Sequence, residues 1–236
     1  RLSNGVRLAL RRDDRLPLAA LRLYAPGGLV YETRGNNGIS SFIAGMLTRG
    51  TDTRSADEIA RTVESLGASL SYNATREALH GAADCLGAHL PTVVELLADT
   101  LMNATFPADE IEKQRRLALA AIRTERDQWH REGMLNFSEV FYKGFPYAMP
   151  LAGSTAAVER FDADGLRAFH RGMLQPSNIV IAVAGSFDPA ELTALFEKHF
   201  AACAPRAAAL MAPALPAYLD DAGTATIGTP RKQATI

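Results

Sequence analysis

The chain of 236 residues is long enough for one large domain or two small ones with a substantial buried core. Its 47% hydrophobic and 22% charged residues are typical of an ordinary globular protein and exclude a disordered chain. A formal net charge of −1 gives no electrostatic reason to expect binding to nucleic acid or to an anionic membrane surface. No apolar run approaches the roughly 20 residues that a membrane-spanning helix needs.

The first predicted elements are two strands, residues 2–11 and 16–24, joined by a charged turn at residues 12–15. Residues 36–51 then read NNGISSFIAGMLTRGT, and the apolar side chains in this stretch recur at helical spacing, which predicts an amphipathic helix. The other side of this helix carries small residues where a solvated face would carry Lys, Glu or Arg. This face is therefore expected either to pack closely against another element or to have lost larger side chains.

Ser55 and Glu58 have the spacing of a capping box, so residues 55–66 are predicted to form a second helix. Further along the chain we expect a hairpin of strands 69–73 and 78–85, helices at 88–102, 108–129, 133–142 and 163–172, a buried strand at 178–185, and a last helix at 189–200. Strand pairs mixed with runs of helices predict an α+β fold, in which an antiparallel or mixed sheet packs against a layer of helices.

We assign residues 1–200 to one domain, residues 201–223 to an Ala- and Pro-rich linker, and residues 224–236 to the start of a second, truncated domain. Cys85 and Cys203 are too few for a disulfide framework or a metal knuckle. The two could pair in an oxidising compartment, but we expect free and buried thiols. The abundance of Ala, and of Arg over Lys, is typical of a GC-rich bacterial genome. The compartment stays open between the periplasm and the cytoplasm, with the periplasm preferred.

The sequence of residues 36–51 resembles that of the pitrilysin/insulinase metallopeptidases, which include the mitochondrial processing peptidase. These enzymes carry a helix that reads roughly N-G-x-x-H-F-x-E-H-M-x-x-x-G-T, and the positions that match are Asn37, Gly38, Phe42, Met46, Gly50 and Thr51. Further matching segments are LGASLSYNATRE, FPADEIEKQR and QPSNIVIAVAGSF, so the resemblance covers about residues 2–200. It implies the same α+β sandwich that the element order predicts.

The zinc motif H-x-x-E-H of that family is not present. The two His of the motif correspond to Ser41 and Gly45, and its Glu corresponds to Ala44. The third zinc ligand of the family is a Glu in a sequence such as E-I-R-x-x-x-D, and it corresponds to Ala121. The motif works because two His on one helix face hold the metal while the Glu acts as general base, and none of the four replacements can do either. Glu125 lies one helical turn from the third position and has no His partners. We therefore expect no catalytic residue, metal or cofactor in this chain. Because all four active-site residues are replaced together, we interpret the chain as a naturally non-catalytic member of the family.

Other catalytic chemistries find no support in the sequence. No two of the five His residues are spaced i, i+3 or i+4; His80 and His89 are expected in the core or at a cap, and His130 and His199 near helix C-termini. A serine hydrolase would need G-x-S-x-G, whereas residues 38–42 read GISSF. A thiol–imidazole pair of Cys85 with His80 or His89 would lie in or beside a predicted core hairpin, where Cys is usually inert.

In catalytic relatives, the strand that corresponds to the one around the sequence NATRE (residues 73–77) lies at a sheet edge, and an extended peptide adds to it as another strand. The resemblance therefore implies a peptide-binding edge at Ser71, Tyr72 and Asn73, while an edge covered by a loop or a partner is equally open.

The leading hypothesis is a non-catalytic subunit or half of a zinc metallopeptidase assembly. In a homo- or hetero-oligomer, it would form a peptide-binding chamber with an active partner that carries the zinc. The alternative is a purely structural subunit, like the respiratory-complex core subunits that share this fold.

Overall fold

The computed structural model describes residues 1–204 and 209–214. The strands are β1 (Arg7–Arg12), β2 (Leu18–Pro26), β3 (Ser69–Ala74), β4 (Ala78–Leu86) and β5 (Val180–Gly185). The helices are α1 (Ile39–Met46), α2 (Ala56–Ser65), α3 (Leu90–Met102), α4 (Ala108–Asp127), α5 (Trp129–Phe141), α6 (Thr155–Val158), α7 (Ala163–Met173) and α8 (Pro189–Phe200).

The strands form one mixed sheet in the order β1-β5-β2-β4-β3. β5 runs parallel to β1 and antiparallel to β2, and β4 lies antiparallel to both β2 and β3. The charged turn at residues 12–15 therefore joins two strands that are consecutive in the chain but not neighbours in the sheet. β5 occupies the place between them because its apolar segment, which includes the fully buried Ile181, suits an interior strand with a neighbour on each side.

The core lies between one face of the sheet and the helices. Leu21 and Leu23 of β2, Leu79 of β4 and Ile181 and Val183 of β5 alternate with more exposed residues and pack into this core. The predicted α+β architecture, a mixed sheet against a layer of helices, is confirmed. α1 contacts both β3 and α4, and a Cβ at its Gly45 would meet the Gln114 side chain of α4.

Several element boundaries follow local signals. The capping box of Ser55 and Glu58 begins α2, with both reciprocal hydrogen bonds present. α5 begins at Trp129, four residues before the predicted start, so His130 lies just past the C-terminus of α4, as predicted, but also in the first turn of α5. The short helix α6, which Ser154 caps, was not predicted. His199 does lie in the last turn of α8.

The predicted linker begins packed against the domain. Cys203 is buried, and the Leu210 amide donates a hydrogen bond to the Gly172 carbonyl at 3.2 Å. Cys85 and Cys203 are both buried, as predicted, and they do not pair in a disulfide. The rest of the linker and the predicted second domain lie outside the described residues. In the part of the chain that the structure describes, no helix combines the length and apolar character of a membrane span.

Candidate functional site

α1 is held at its N-terminus by a buried carboxylate. Gly38, the residue before the helix, has the left-handed φ of +96° that favours glycine. The Glu32 carboxylate accepts hydrogen bonds from the amides of Gly38 at 2.6 Å and Ser40 at 3.0 Å, and from Asn37 Nδ2 at 3.1 Å. Burial raises the pKa of Glu32, although these hydrogen bonds act in the opposite direction. A carboxylate at this position also interacts favourably with the helix dipole.

The loop before α6 crosses the start of α1 and is bonded to it. Asn37 Nδ2 donates to the Pro150 carbonyl at 3.0 Å, and Ser41 Oγ donates to the Leu151 carbonyl at 3.0 Å. A Cβ at Gly38 would lie 2.6 Å from Gly153 Cα, so the two backbones touch. This contact fixes the position of the loop relative to α1.

α4 forms the opposite wall, and Arg115 ties it to the segment after the loop. Its guanidinium donates to the Val158 carbonyl and, at 2.7 Å, to the Phe161 carbonyl. Between α1, α4 and this segment lies a cavity of about 310 Å³. None of its lining residues is ionisable: Gly38, Ser41, Phe42, Gln114, Leu117, Ala118, Ala121, Ala152 and Val158. The site is therefore a neutral and largely apolar recess.

β3 is an edge strand of the sheet, with β4 on one side only. Thr75 N donates to Ala78 O across the turn, and bonded and non-bonded pairs alternate along an antiparallel ladder. Because of this alternation, the main-chain N–H and C=O groups of Ser71 and Asn73 point toward β4. Those of Leu70, Tyr72 and Ala74 point toward the open edge. The described residues outside the sheet form no hydrogen bond with the main chains of these last three. β3 thus offers donors and acceptors to an added strand.

Two family models match the chain. The model described as insulinase (peptidase family M16) matches residues 7–155, and the model described as peptidase M16 inactive domain matches residues 160–232. The chain belongs to peptidase family M16.

Relatives of the M16 chain include both peptidase-like and complex-forming proteins. It is 30% identical over 200 residues to cytochrome b-c1 complex subunit 1 of Bos taurus, covering 84% of this chain and 41% of the relative. It is 28% identical over 183 residues to the uncharacterized zinc protease YmxG of Bacillus subtilis, covering 78% of this chain and 45% of the relative. The chain thus spans less than half the length of these relatives.

Solved structures share the M16 fold of this chain at low sequence identity. A peptidase M16 inactive domain from Pseudomonas fluorescens superposes with a TM-score of 0.82 at 23% identity, over 89% of this chain and 51% of that one. The first half of the periplasmic protease PqqL from Escherichia coli superposes with a TM-score of 0.81 at 20% identity, over 91% of this chain and 47% of that one. These similarities support the fold alone.

Of the four positions that the resemblance assigns to the M16 zinc ligands and base, the structure brings two to one cavity. Ser41 and Ala121 line the same cavity from opposite helices. Gly45 does not line the cavity; a Cβ there would be 2.3 Å from Nε2 of Gln114, which does line it. Ala44 is only 5% exposed and does not line the cavity.

The residues present do not fit a zinc ion. The Ser41 hydroxyl donates to a carbonyl, and the other three positions carry no donor atom in their side chains. Glu125 lies 4.0 Å from Arg131 in an ion pair and does not line the cavity. Within residues 1–204 and 209–214, no group of three His, Cys, Asp or Glu side chains could hold a metal ion. No catalytic step through a metal can therefore be derived at these residues.

Of the predicted edge residues, Ser71 and Asn73 expose their side chains, whereas Tyr72 turns inward. Tyr72 Oη lies 2.8 Å from Thr100 Oγ1 and donates to the Leu97 carbonyl at 3.2 Å. Burial raises the pKa of the Tyr72 hydroxyl far above its ordinary value. The Tyr72 side chain thus anchors β3 to α3, and only its main chain is available at the edge.

Sequence reasoning missed the residues of α4 that share the face of Ala121. Gln114, Leu117 and Ala118 precede Ala121 by seven, four and three residues, the spacing of one helix face. Counting back from the third ligand position could have found them. Gln114 matters most, because its amide lies against Gly45.

Proposed function

We propose that this chain is a non-catalytic subunit or half of an M16 metallopeptidase assembly, which forms a peptide-binding chamber together with an active partner that carries zinc. The observation that carries the proposal is the cavity between α1 and α4, which Ser41 and Ala121 line at two of the positions where the family carries metal ligands; Ala44 and Gly45 stand at the other two positions of the motif. A retained scaffold without donor atoms suits a role in binding and positioning rather than in bond cleavage.

An exposed apolar surface on α5 supports the existence of a partner. Met134, Phe137 and Phe141 are 61%, 54% and 53% exposed, and the rings of Phe137 and Phe141 stack with centroids 5.2 Å apart. Adjacent exposed apolar side chains of this kind mark interaction surfaces. The open edge of β3 supports peptide binding through its main chain. For the compartment we propose the bacterial periplasm.

The catalytic part of the proposal is tested by metal analysis and peptidase assays on the purified chain. We expect zinc far below one ion per chain and no cleavage of unstructured peptides, with an active M16 enzyme purified in the same buffers as the control. Stoichiometric zinc, or cleavage by this chain alone, would overturn the proposal.

The 30% identity to a cytochrome b-c1 subunit favours a second candidate, a structural subunit of a larger complex without a role in peptide processing. Affinity purification of the tagged chain from its native cells separates the two. Recovery of a protein with an H-x-x-E-H helix, and of zinc-dependent peptidase activity, supports the first candidate. Recovery of a membrane complex without peptidase activity supports the second.

A further inference from the structure

The cavity between α1 and α4 has the size and character of a recess for one side chain. Its volume of about 310 Å³ is at the lower end of the range of pockets for small ligands, roughly 300–1,000 Å³. The lining residue Leu117 is 58% exposed and therefore adds apolar surface at the opening of the cavity. A charged side chain would find no counter-ion among the lining residues, and burying an unpaired charge is strongly unfavourable.

Two polar side chains reach this cavity, and only one is free to bind a ligand. The Ser41 hydroxyl already donates to the Leu151 carbonyl at 3.0 Å. Gln114 is half-buried and its amide lies against Gly45, and no described residue forms a hydrogen bond with that amide. An amide offers both a donor and an acceptor, the same pair that a peptide main chain presents.

We propose that this cavity binds one uncharged, apolar side chain of an extended peptide, while the Gln114 amide forms hydrogen bonds with the main chain of that peptide. The proposal rests on the peptide-binding role proposed above and adds a specificity to it. The loss of the metal ligands has left a neutral recess beside α1, the helix that also contacts β3. A peptide on this surface is therefore selected by the size and charge of a single residue.

The test measures binding of fluorescein-labelled nine-residue peptides, Ala-Thr-Ala-Thr-Xaa-Thr-Ala-Thr-Ala, to the full chain by fluorescence anisotropy. Xaa is Ala, Leu, Phe, Asp or Lys. We expect the Leu or Phe peptide to bind at least about tenfold more tightly than the Ala peptide, because of the apolar area that is buried. The Asp and Lys peptides should bind no better than the Ala peptide.

Ala121→Leu fills the cavity from an exposed position on α4, and Ala120→Leu is its matched control on another face of the same helix. Ala121→Leu should abolish the preference for Leu or Phe and leave the Ala peptide unaffected, whereas Ala120→Leu should change neither. Gln114→Leu should lower the affinity for all five peptides by a similar factor. Thermal unfolding of each variant checks that the chain is folded.

Equal affinity for Leu and Asp peptides, or equal effects of Ala121→Leu and Ala120→Leu, would overturn the specificity proposal while leaving peptide binding intact. A change of oligomeric state in Ala121→Leu without a change in peptide affinity would assign the cavity to a second copy of the chain and also overturn it. Absence of binding by every peptide would refute the inference, and the partner experiment would still decide the proposed function independently.

Discussion

Asp99 connects the segment after α1 to α3. Its carboxylate accepts hydrogen bonds from Thr51 Oγ1 at 2.9 Å, Asn103 Nδ2 at 2.9 Å and Arg54 Nη1 at 2.8 Å. Burial raises the pKa of Asp99, but the hydrogen bonds from Asn103, Thr51 and Arg54 more than offset this effect, so the pKa lies below its ordinary value. The network helps to fix the end of the α1 segment.

Asp99→Asn should lower the free energy of unfolding at pH 7 by about 2 kcal/mol, because a buried, charge-assisted set of hydrogen bonds is lost. Glu95→Gln is the matched control: Glu95 also pairs with Arg54, but its side chain is 43% exposed, and we expect a loss of less than about 1 kcal/mol. Urea denaturation of both variants measures the difference. Equal losses would show that Asp99 contributes no more than a surface ion pair.

The low pKa of Asp99 also sets a pH dependence. Because the folded state lowers this pKa, the stabilisation from the carboxylate is fully present above the ordinary pKa of about 3.9 and is lost as the pH falls through the lower, folded-state value. The difference in stability between the wild type and Asp99→Asn should therefore shrink below about pH 4. Urea denaturation between pH 2.5 and pH 7, at constant ionic strength of about 0.15 M, tests this, and a constant difference would contradict it.

At the scale of elements, two glycines at α1 differ in what surrounds them. A Cβ at Gly38 would meet the backbone of Gly153 at 2.6 Å, at a φ that other residues avoid. A Cβ at Gly45 would meet only the end of the flexible Gln114 side chain.

Gly38→Ala should therefore lower the free energy of unfolding by more than about 2 kcal/mol, since strain and a backbone clash combine. Gly45→Ala should be neutral or stabilising by up to about 1 kcal/mol, because alanine favours the helix and Gln114 can turn away. Thermal and urea denaturation compare the two variants. A large loss in Gly45→Ala would mean that Gln114 is held rigidly in place.

The free edge of β3 predicts a second contrast between neighbouring residues. Proline removes a main-chain donor, which an edge position tolerates and a ladder position does not. Ala74→Pro should cost less than about 1 kcal/mol and Asn73→Pro more than about 3 kcal/mol, because only the Asn73 amide is expected to pair with β4. Urea denaturation measures both losses. The reverse order would show that the alternation of the ladder is shifted by one residue.

The sequence could predict elements whose signals are local. Ser55 and Glu58 lie three residues apart, so their capping box depends on nothing distant. The pairing of Arg7 with Val180 could not be predicted, because an apolar strand such as β5 is compatible with several neighbours. The proximity of Ser41 and Ala121 could be predicted from the resemblance. The position of Gln114 at the cavity could not, because it depends on how α4 packs against α1.

At the scale of the whole molecule, the reactivity of the two buried thiols reports whether each is exposed by global unfolding or by local opening. Burial raises the pKa of the Cys85 thiol to about 11, and Cys85 lies on the interior strand β4. Cys203 follows the last helix, where local opening costs less than global unfolding.

Neither thiol should react rapidly with Ellman's reagent at pH 8 in the folded protein. In Cys203→Ser, the slow reaction of Cys85 should follow the urea dependence of global unfolding. In Cys85→Ser, Cys203 should react faster and with a weaker dependence on urea. Identical rates would show that the segment after α8 opens only together with the sheet.

The position of β5 between β1 and β2 has a consequence for synthesis on the ribosome. Until residues 180–185 leave the exit tunnel, the nascent chain can pair β2, β3 and β4, but β1 has no neighbour and one side of β2 stays uncovered. Contacts between segments so distant in the chain close slowly, and an uncovered strand attracts other chains. The nascent domain should therefore depend on chaperones until residues 180–185 have emerged, because the sheet lacks one inner strand until then.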